Sequence, residues 1–267
     1  MPKTLSISDF EYLSHESLSQ VFNPPILYKY VDFDIGLYDI LMKKSIKFSM
    51  PADFGDPFDC SEKLINLDFK SVDLPSVTNH LNDKMLPDQI EEVLKRVQLP
   101  GGSDPVFANK KRQYRISCFA KNPLDILMWS HYGSKHEGIC IGFQFKLINK
   151  DFNLYPVIYQ DEIYSIDGNV PMEKVFLYWL TVKSTYWKYE EEIRAISLSG
   201  KEIINYEPEM IREVVFGCKV PDKKIQIIIP VITEIFKPYP IVFRKLTPSR
   251  NSFSLVSEIL NCNDVKS

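Results

Sequence analysis

The chain has 267 residues, 45% hydrophobic and 25% charged, with a formal net charge of −3. This is globular composition, and folding a chain of this length removes roughly three quarters of its extended surface from water. Without a basic excess, indiscriminate binding to polyanions is not expected, and 10 glycines argue against chemistry built on a Gly-rich phosphate loop.

Residues up to Asn23 read as a short helical lead-in that ends at Pro24-Pro25. They lack a basic stretch followed by an apolar run, so a signal peptide is not expected. Ile26–Tyr30 (ILYKY) is a strand, and Ile35–Lys44 a helix with one broad apolar face. Ile46, Phe48 and Met50 alternate with polar positions as a second strand, and Pro51–Asp59 (PADFGDPFD) is loop. The charged stretch 70–104 is predicted to be a helical insertion within one domain spanning residues 1–267. Its clearest helix is Pro87–Val97, with Asp88 and Glu91 placed as in a capping box.

Further strands are predicted at Tyr114–Phe119, Gly138–Phe145, Val157–Tyr159, Glu191–Leu198, Val214–Gly217 and Ile241–Leu246. Helices are predicted at Pro123–Tyr132, Met172–Lys188 and Asp222–Phe236, the last interrupted by Pro230. The fold class is α+β, a mixed, largely antiparallel sheet with helices. Cys60, Cys118, Cys140, Cys218 and Cys262 are odd in number and widely spaced, which predicts free thiols, a reducing compartment and a cytoplasmic protein. No segment approaches about 18 uninterrupted apolar residues, so no membrane span is expected.

Five groups of residues could carry chemistry. In the first strand, alternation sets Tyr28 and Tyr30 on one face and Lys29 on the other; a solvated lysine is the plain alternative. Asp53, Asp56 and Asp59 flank Gly55 and Pro57, which reads as a capped turn or as a loop lining a site. Ser117-Cys118-Phe119, Met128–Gly133 and His136–Gly138 gather hydroxyls, imidazoles and aromatics. Cys118 with His131 or His136 lacks the context of a thiol protease, and His131, His136 and Cys140 do not have zinc spacing. If Trp187–Arg194 enters a strand, Glu190, Glu192 and Arg194 share one face and Glu191 the other. That pattern fits a charged edge or a carboxylate pair for acid–base work. The basic run Lys110–Arg115 is a solvated loop or a phosphate contact.

Together these motifs resemble a bacterial family named only as domain of unknown function 2971. The matching stretches are Leu27–Tyr30, Asp53–Asp59, Ser117–Ala120, Met128–Gly133, His136–Gly138 and Trp187–Arg194. Gly55, Gly133 and Ile193 stand where Asn, Ala and Trp are usual in that family. The opening unit is also similar to the start of ADP-ribosyltransferases, where NAD lies on a strand–helix–strand. That resemblance implies an ADP-ribosyltransferase-like fold with NAD as cosubstrate. Lys29 would take the place of a His or Arg, and Tyr132 or Ser117 that of the second element. Glu190-Glu191-Glu192 would supply the glutamate.

The resulting expectation is an NAD-dependent ADP-ribosyltransferase-like enzyme of the toxin or anti-phage kind, with a protein or nucleic-acid acceptor and no metal. Glu192 comes first and Glu190 second as catalytic carboxylates. Tyr30 or Tyr132 would stack on nicotinamide, with Lys29 and Ser117 contacting the cosubstrate. The alternatives are a non-enzymatic protein- or nucleic-acid-binding module, and a metal-dependent nuclease or hydrolase using Asp56, Asp59 and Glu192.

Overall fold

The computed structural model describes residues 3–13, 18, 26–69, 92, 95, 96, 99, 101–146 and 149–260. The chain divides into two compact units. One comprises Met1–Phe22, Ser49–Arg115 and Val157–Thr185, the other Asn23–Phe48, Ile116–Pro156 and Tyr186–Ser267. The end of the lead-in, most of the Pro87–Val97 helix, most of the insertion expected over 70–104, and Cys262 lie outside the described residues. Among the described residues, Cys60, Cys118, Cys140 and Cys218 form no disulfide. Among the described residues, no helix is long and apolar enough to cross a membrane.

In the first unit, Ser165–Asp167 pairs in parallel with Thr4–Leu5 on one side and Asn66–Asp68 on the other. The helix Met172–Thr181 buries Val175, Tyr178, Trp179 and Leu180. The fully buried Trp179 donates its indole N–H to the Ser61 carbonyl at 2.9 Å, and its ring meets Phe107 edge-on at 5.1 Å. The sequence predicts this helix to run to Lys188. It stops at Thr181, because Val182 turns extended and Val182–Lys183 pairs in parallel with Ile158–Tyr159. Sheet pairing overrides the helical apolar pattern there.

The second unit holds most of the sheet. Numbered within it in chain order, the strands are β1 Leu27–Val31, β2 Ser45–Lys47, β3 Ile116–Phe119, β4 Ile139–Phe143 and β5 Phe152–Pro156. They continue with β6 Ile193–Ser197, β7 Ile203–Asn205, β8 Ile211–Phe216, β9 Val242–Pro248 and β10 Leu255–Ile259. A five-stranded sheet has the order β10-β9-β8-β4-β1, a three-stranded sheet the order β3-β6-β5, and β7 pairs with β2. Every pairing is antiparallel except β8 with β9. A parallel pair needs a crossover. The helix Asp222–Ile235, which runs through Pro230, supplies it. The fold is therefore a mixed α/β assembly of small, mostly antiparallel sheets, the coarse class read from the sequence.

The central strand β4 is buried at every position, so it reads as continuous apolar sequence (ICIGF) rather than as alternation. Gly142 lies between Tyr28 of β1 and Glu213 of β8. A Cβ at Gly142 would come within 2.8 Å of Glu213 Cγ and Ile26 Cγ2, so the missing side chain lets Tyr28 and Glu213 meet across it. The expected helix Ile35–Lys44 is a π-helix, Ile35–Met42, whose Lys43 N–H donates to Tyr38 O at 3.1 Å. Beyond β4, Phe119, Phe143, Phe145 and Phe152 pack ring on ring at 5.1–5.8 Å.

A candidate functional site at the junction of two sheets

Two backbone hydrogen bonds, Tyr28 N–H to Ala120 O and Ala120 N–H to Tyr28 O, both 2.8 Å, tie β1 to the residue after β3. This junction brings Lys29 against the edge of the three-stranded sheet. Lys29 Nζ donates to Ser117 Oγ at 2.8 Å and to Cys118 O at 3.2 Å, and lies 5.1 Å from the Phe119 ring centroid. Burial holds the amine below its ordinary 10.5, against the opposing pull of Cys118 and Glu192. Lys29 and Ser117, both candidates from the sequence, therefore meet.

Tyr30 does not join them. It lies on the opposite face of β1, is 8% exposed, and turns its ring edge-on to Trp129 at 5.1 Å. Its hydroxyl donates to Asn122 O at 2.6 Å, and burial raises its phenol. In this position Tyr30 is a core residue.

The strand expected from Glu191 begins at Ile193. Glu191 is left-handed, with φ +44°, and breaks the chain's alternation. Glu190 instead ends the 3-10 turn Thr185–Glu190, so it does not share a strand face with Glu192 and Arg194. Those two do meet. Arg194 Nε donates to Glu192 Oε1 at 2.9 Å and Nη2 to Oε2 at 3.2 Å. Arg194 is 0% exposed and Glu192 4%. Cys118 is the cross-strand partner of Arg194. Burial pushes its thiol well above 9.0, and a hydrogen bond to Glu192 adds to the rise. Strand alternation sets Cys118 and Ser117 on opposite faces of β3. Lys29 thus touches Ser117 directly and reaches Glu192 through its field. Glu191 is exposed.

A second cluster follows the short helix Ile126–His131. Its first turn is capped by Asp125, whose carboxylate accepts the Met128 N–H at 2.9 Å. The Tyr132 hydroxyl donates to Glu190 Oε1 at 2.8 Å, and His131 Nδ1 and the Tyr189 hydroxyl are hydrogen-bonded at 3.1 Å. Glu190 is 4% exposed and Tyr132 43%. His136 stacks on Trp129, and its Nε2 is bonded to Ser130 Oγ at 3.2 Å. The thiol of Cys118 meets Glu192 and the two imidazoles meet Tyr189 and Ser130, so the geometry is not that of a Cys–His pair. Among the described residues, no three His, Cys, Asp or Glu side chains stand together as a metal site.

The other candidate groups belong to the first unit. Asp56 accepts the Phe58 N–H at 2.9 Å, the local turn expected of it. Asp59 is buried 3.7 Å from the buried ammonium of Lys183. The basic run forms the end of the helix Asp104–Gln113, after which Tyr114 packs toward Phe176. In the second unit a cavity of about 280 Å³, lined by Asn149, Phe152, Ile204, Tyr206 and Met210 among others, includes none of the candidate residues.

Sequence reasoning missed a buried polar row. The Tyr28 hydroxyl donates to Glu213 Oε1, and Arg244 Nε donates to Glu213 Oε2 at 2.7 Å. The available signal was Gly142 inside an apolar strand, which marks a close approach.

With this geometry in place, one comparison is informative. Residues 128–195 match the family model described as Protein of unknown function (DUF2971). This stretch contains the Met128–Gly133, His136–Gly138 and Trp187–Arg194 motifs and supports that resemblance. No curated protein and no solved structure matches the chain.

Proposed function

We propose that the second unit cleaves NAD and transfers its ADP-ribose to a protein or nucleic-acid acceptor, chemistry that suits a toxin or phage-defence effector, on an ADP-ribosyltransferase-like sheet. The observation that carries this reading is that Lys29 of β1 is hydrogen-bonded to Ser117 of β3, with Glu192 at the entry to β6 near enough for its charge to act on the amine. In the reaction the C1′–N bond breaks and its electron pair leaves with nicotinamide, whose ring nitrogen becomes neutral. Positive charge develops on the ribose, and a fixed carboxylate beside it lowers the barrier. Glu192, held on both oxygens by Arg194, is the pre-oriented anion. Glu190, bonded to Tyr132, is the second carboxylate, and Tyr132 presents an exposed ring for nicotinamide. The acceptor's lone pair then closes on C1′ as its proton is lost.

One observation favours a second reading. A bidentate pair between a 4% exposed glutamate and a fully buried arginine is also what a structural ion pair looks like. In that case the unit is a binding module that meets its partner through exposed aromatics such as Tyr132 and Tyr186. Mass-spectrometric detection of nicotinamide, after incubation with NAD and with protein or nucleic-acid acceptors, separates the two. Release above buffer is expected; none with any acceptor would move the binding module ahead.

A further inference from the structure

Two side-chain hydrogen bonds tie the short helix Ile126–His131 to the turn before β6, neighbour to neighbour. His131 meets Tyr189 at 3.1 Å, and Tyr132 meets Glu190 at 2.8 Å. All four residues lie within 128–195, the stretch that the family model matches. On the helix side the backbone is well anchored. Trp129 is fully buried and donates its indole N–H to Pro123 O at 2.8 Å. The Tyr132 N–H donates to Met128 O at 2.8 Å, and a Cβ at Gly133 would come within 2.5 Å of the Trp129 ring.

The turn itself is weaker. A 3-10 turn has poorer hydrogen-bond geometry than an α-helix, and the Glu191 N–H reaches Lys188 O at 3.2 Å. Glu191 is left-handed, with φ +44°. For a residue other than glycine this is strained, and it persists only where the surroundings impose it. The Glu191 side chain does not impose it, since it is exposed and makes no hydrogen bond among the described residues. On one side of it, Ile193 is fixed by pairing with Phe119 and Pro156. On the other side, Tyr189 and Glu190 are tied to the anchored helix.

We infer that His131 and Tyr132 are positioning residues, which act through Tyr189 and Glu190 to hold the left-handed turn. That turn sets where the Glu190 carboxylate stands and how the chain enters β6 at Glu192. Freed from the helix, Glu191 relaxes to extended backbone, and because Ile193 is fixed, the relaxation carries Glu190 and Tyr189 away. The role in catalysis rests on the NAD reading. The Tyr132 hydroxyl thus has a task separate from that of its ring, and His131 has one that involves neither a metal nor a thiol.

The test uses the full chain with Tyr132→Phe and Tyr189→Phe, each of which deletes one hydroxyl and keeps a ring. Native-state amide hydrogen exchange at Glu191, followed by NMR, is expected to run about three- to tenfold faster in each variant. It should be faster still in the double variant, with the β4 amides unchanged. Nicotinamide release by Tyr132→Phe is expected to lose kcat by a similar factor with KM for NAD unchanged. The inference is overturned if the double variant exchanges at the unmodified rate, or if Tyr132→Phe keeps full kcat, as it would were the ring alone in use. Faster exchange at Glu191 in a protein that never cleaves NAD would support the hold on the turn and sink the NAD reading alone.

Discussion

At the scale of single residues, the Glu192–Arg194 pair sets the energetics of the site. Arg194 is fully buried and fills both oxygens of a carboxylate that is itself 4% exposed. Arg194→Met keeps an unbranched apolar chain but strands the carboxylate. Removing one partner of a buried pair costs about 3–5 kcal/mol. Urea denaturation of Arg194→Met is expected to show a loss of this size; a change under about 1 kcal/mol would mean that water already reaches Glu192. Some of the site was legible at this scale. Alternation separated Lys29 from Tyr28 and Tyr30, and the motif spacing named both Glu192 and Arg194. The strand face assigned to Glu190 was wrong, because a non-glycine residue with φ +44° at Glu191 leaves no mark in sequence. Tyr30 read as an accessible ring because nothing local to ILYKY shows that Trp129 and Asn122 cover it.

At the scale of elements, apolar runs could be read from the sequence where burial fixes them. The strands at ILYKY and GICIGF appear where expected, within a few residues. Phe152–Pro156 (FNLYP) and Leu255–Ile259 (LVSEI) were missed, since short mixed segments become strands through their partners, here β6 and β9. The same dependence explains why the Met172 helix ends early. Gly142 tests the packing between elements. Gly142→Ala would press a methyl group against Glu213, Ile26 and Tyr28, and overpacking of this kind costs about 1–3 kcal/mol. A fall in stability of that order is expected in chemical denaturation. An unchanged stability would mean that the Tyr28–Glu213–Arg244 row can move apart without loss.

At the scale of the whole molecule, the buried acids and bases set the response to pH. Burial raises the Cys118 and Cys140 thiols well above 9.0, and raises the Tyr28, Tyr30 and Tyr206 phenols above 10.0. In the unfolded chain these groups ionise at their ordinary values, while the native state keeps the protons. The native state then binds more protons, and stability falls as pH rises past about 9. Lys29, whose amine burial holds below its ordinary 10.5, acts in the opposite sense between its native and unfolded titrations. The urea midpoint is expected to drop between pH 9 and 10, and a flat profile would contradict the burial of these groups. The most direct test of the functional account compares nicotinamide release by the unmodified chain, Glu192→Gln and Glu191→Gln, with melting temperatures measured alongside. Glu192→Gln keeps shape and removes the charge, so a loss of roughly a hundredfold or more is expected, while the exposed Glu191→Gln should keep most of the activity. Full turnover in a folded Glu192→Gln protein, or an inactive Glu191→Gln, would contradict the account.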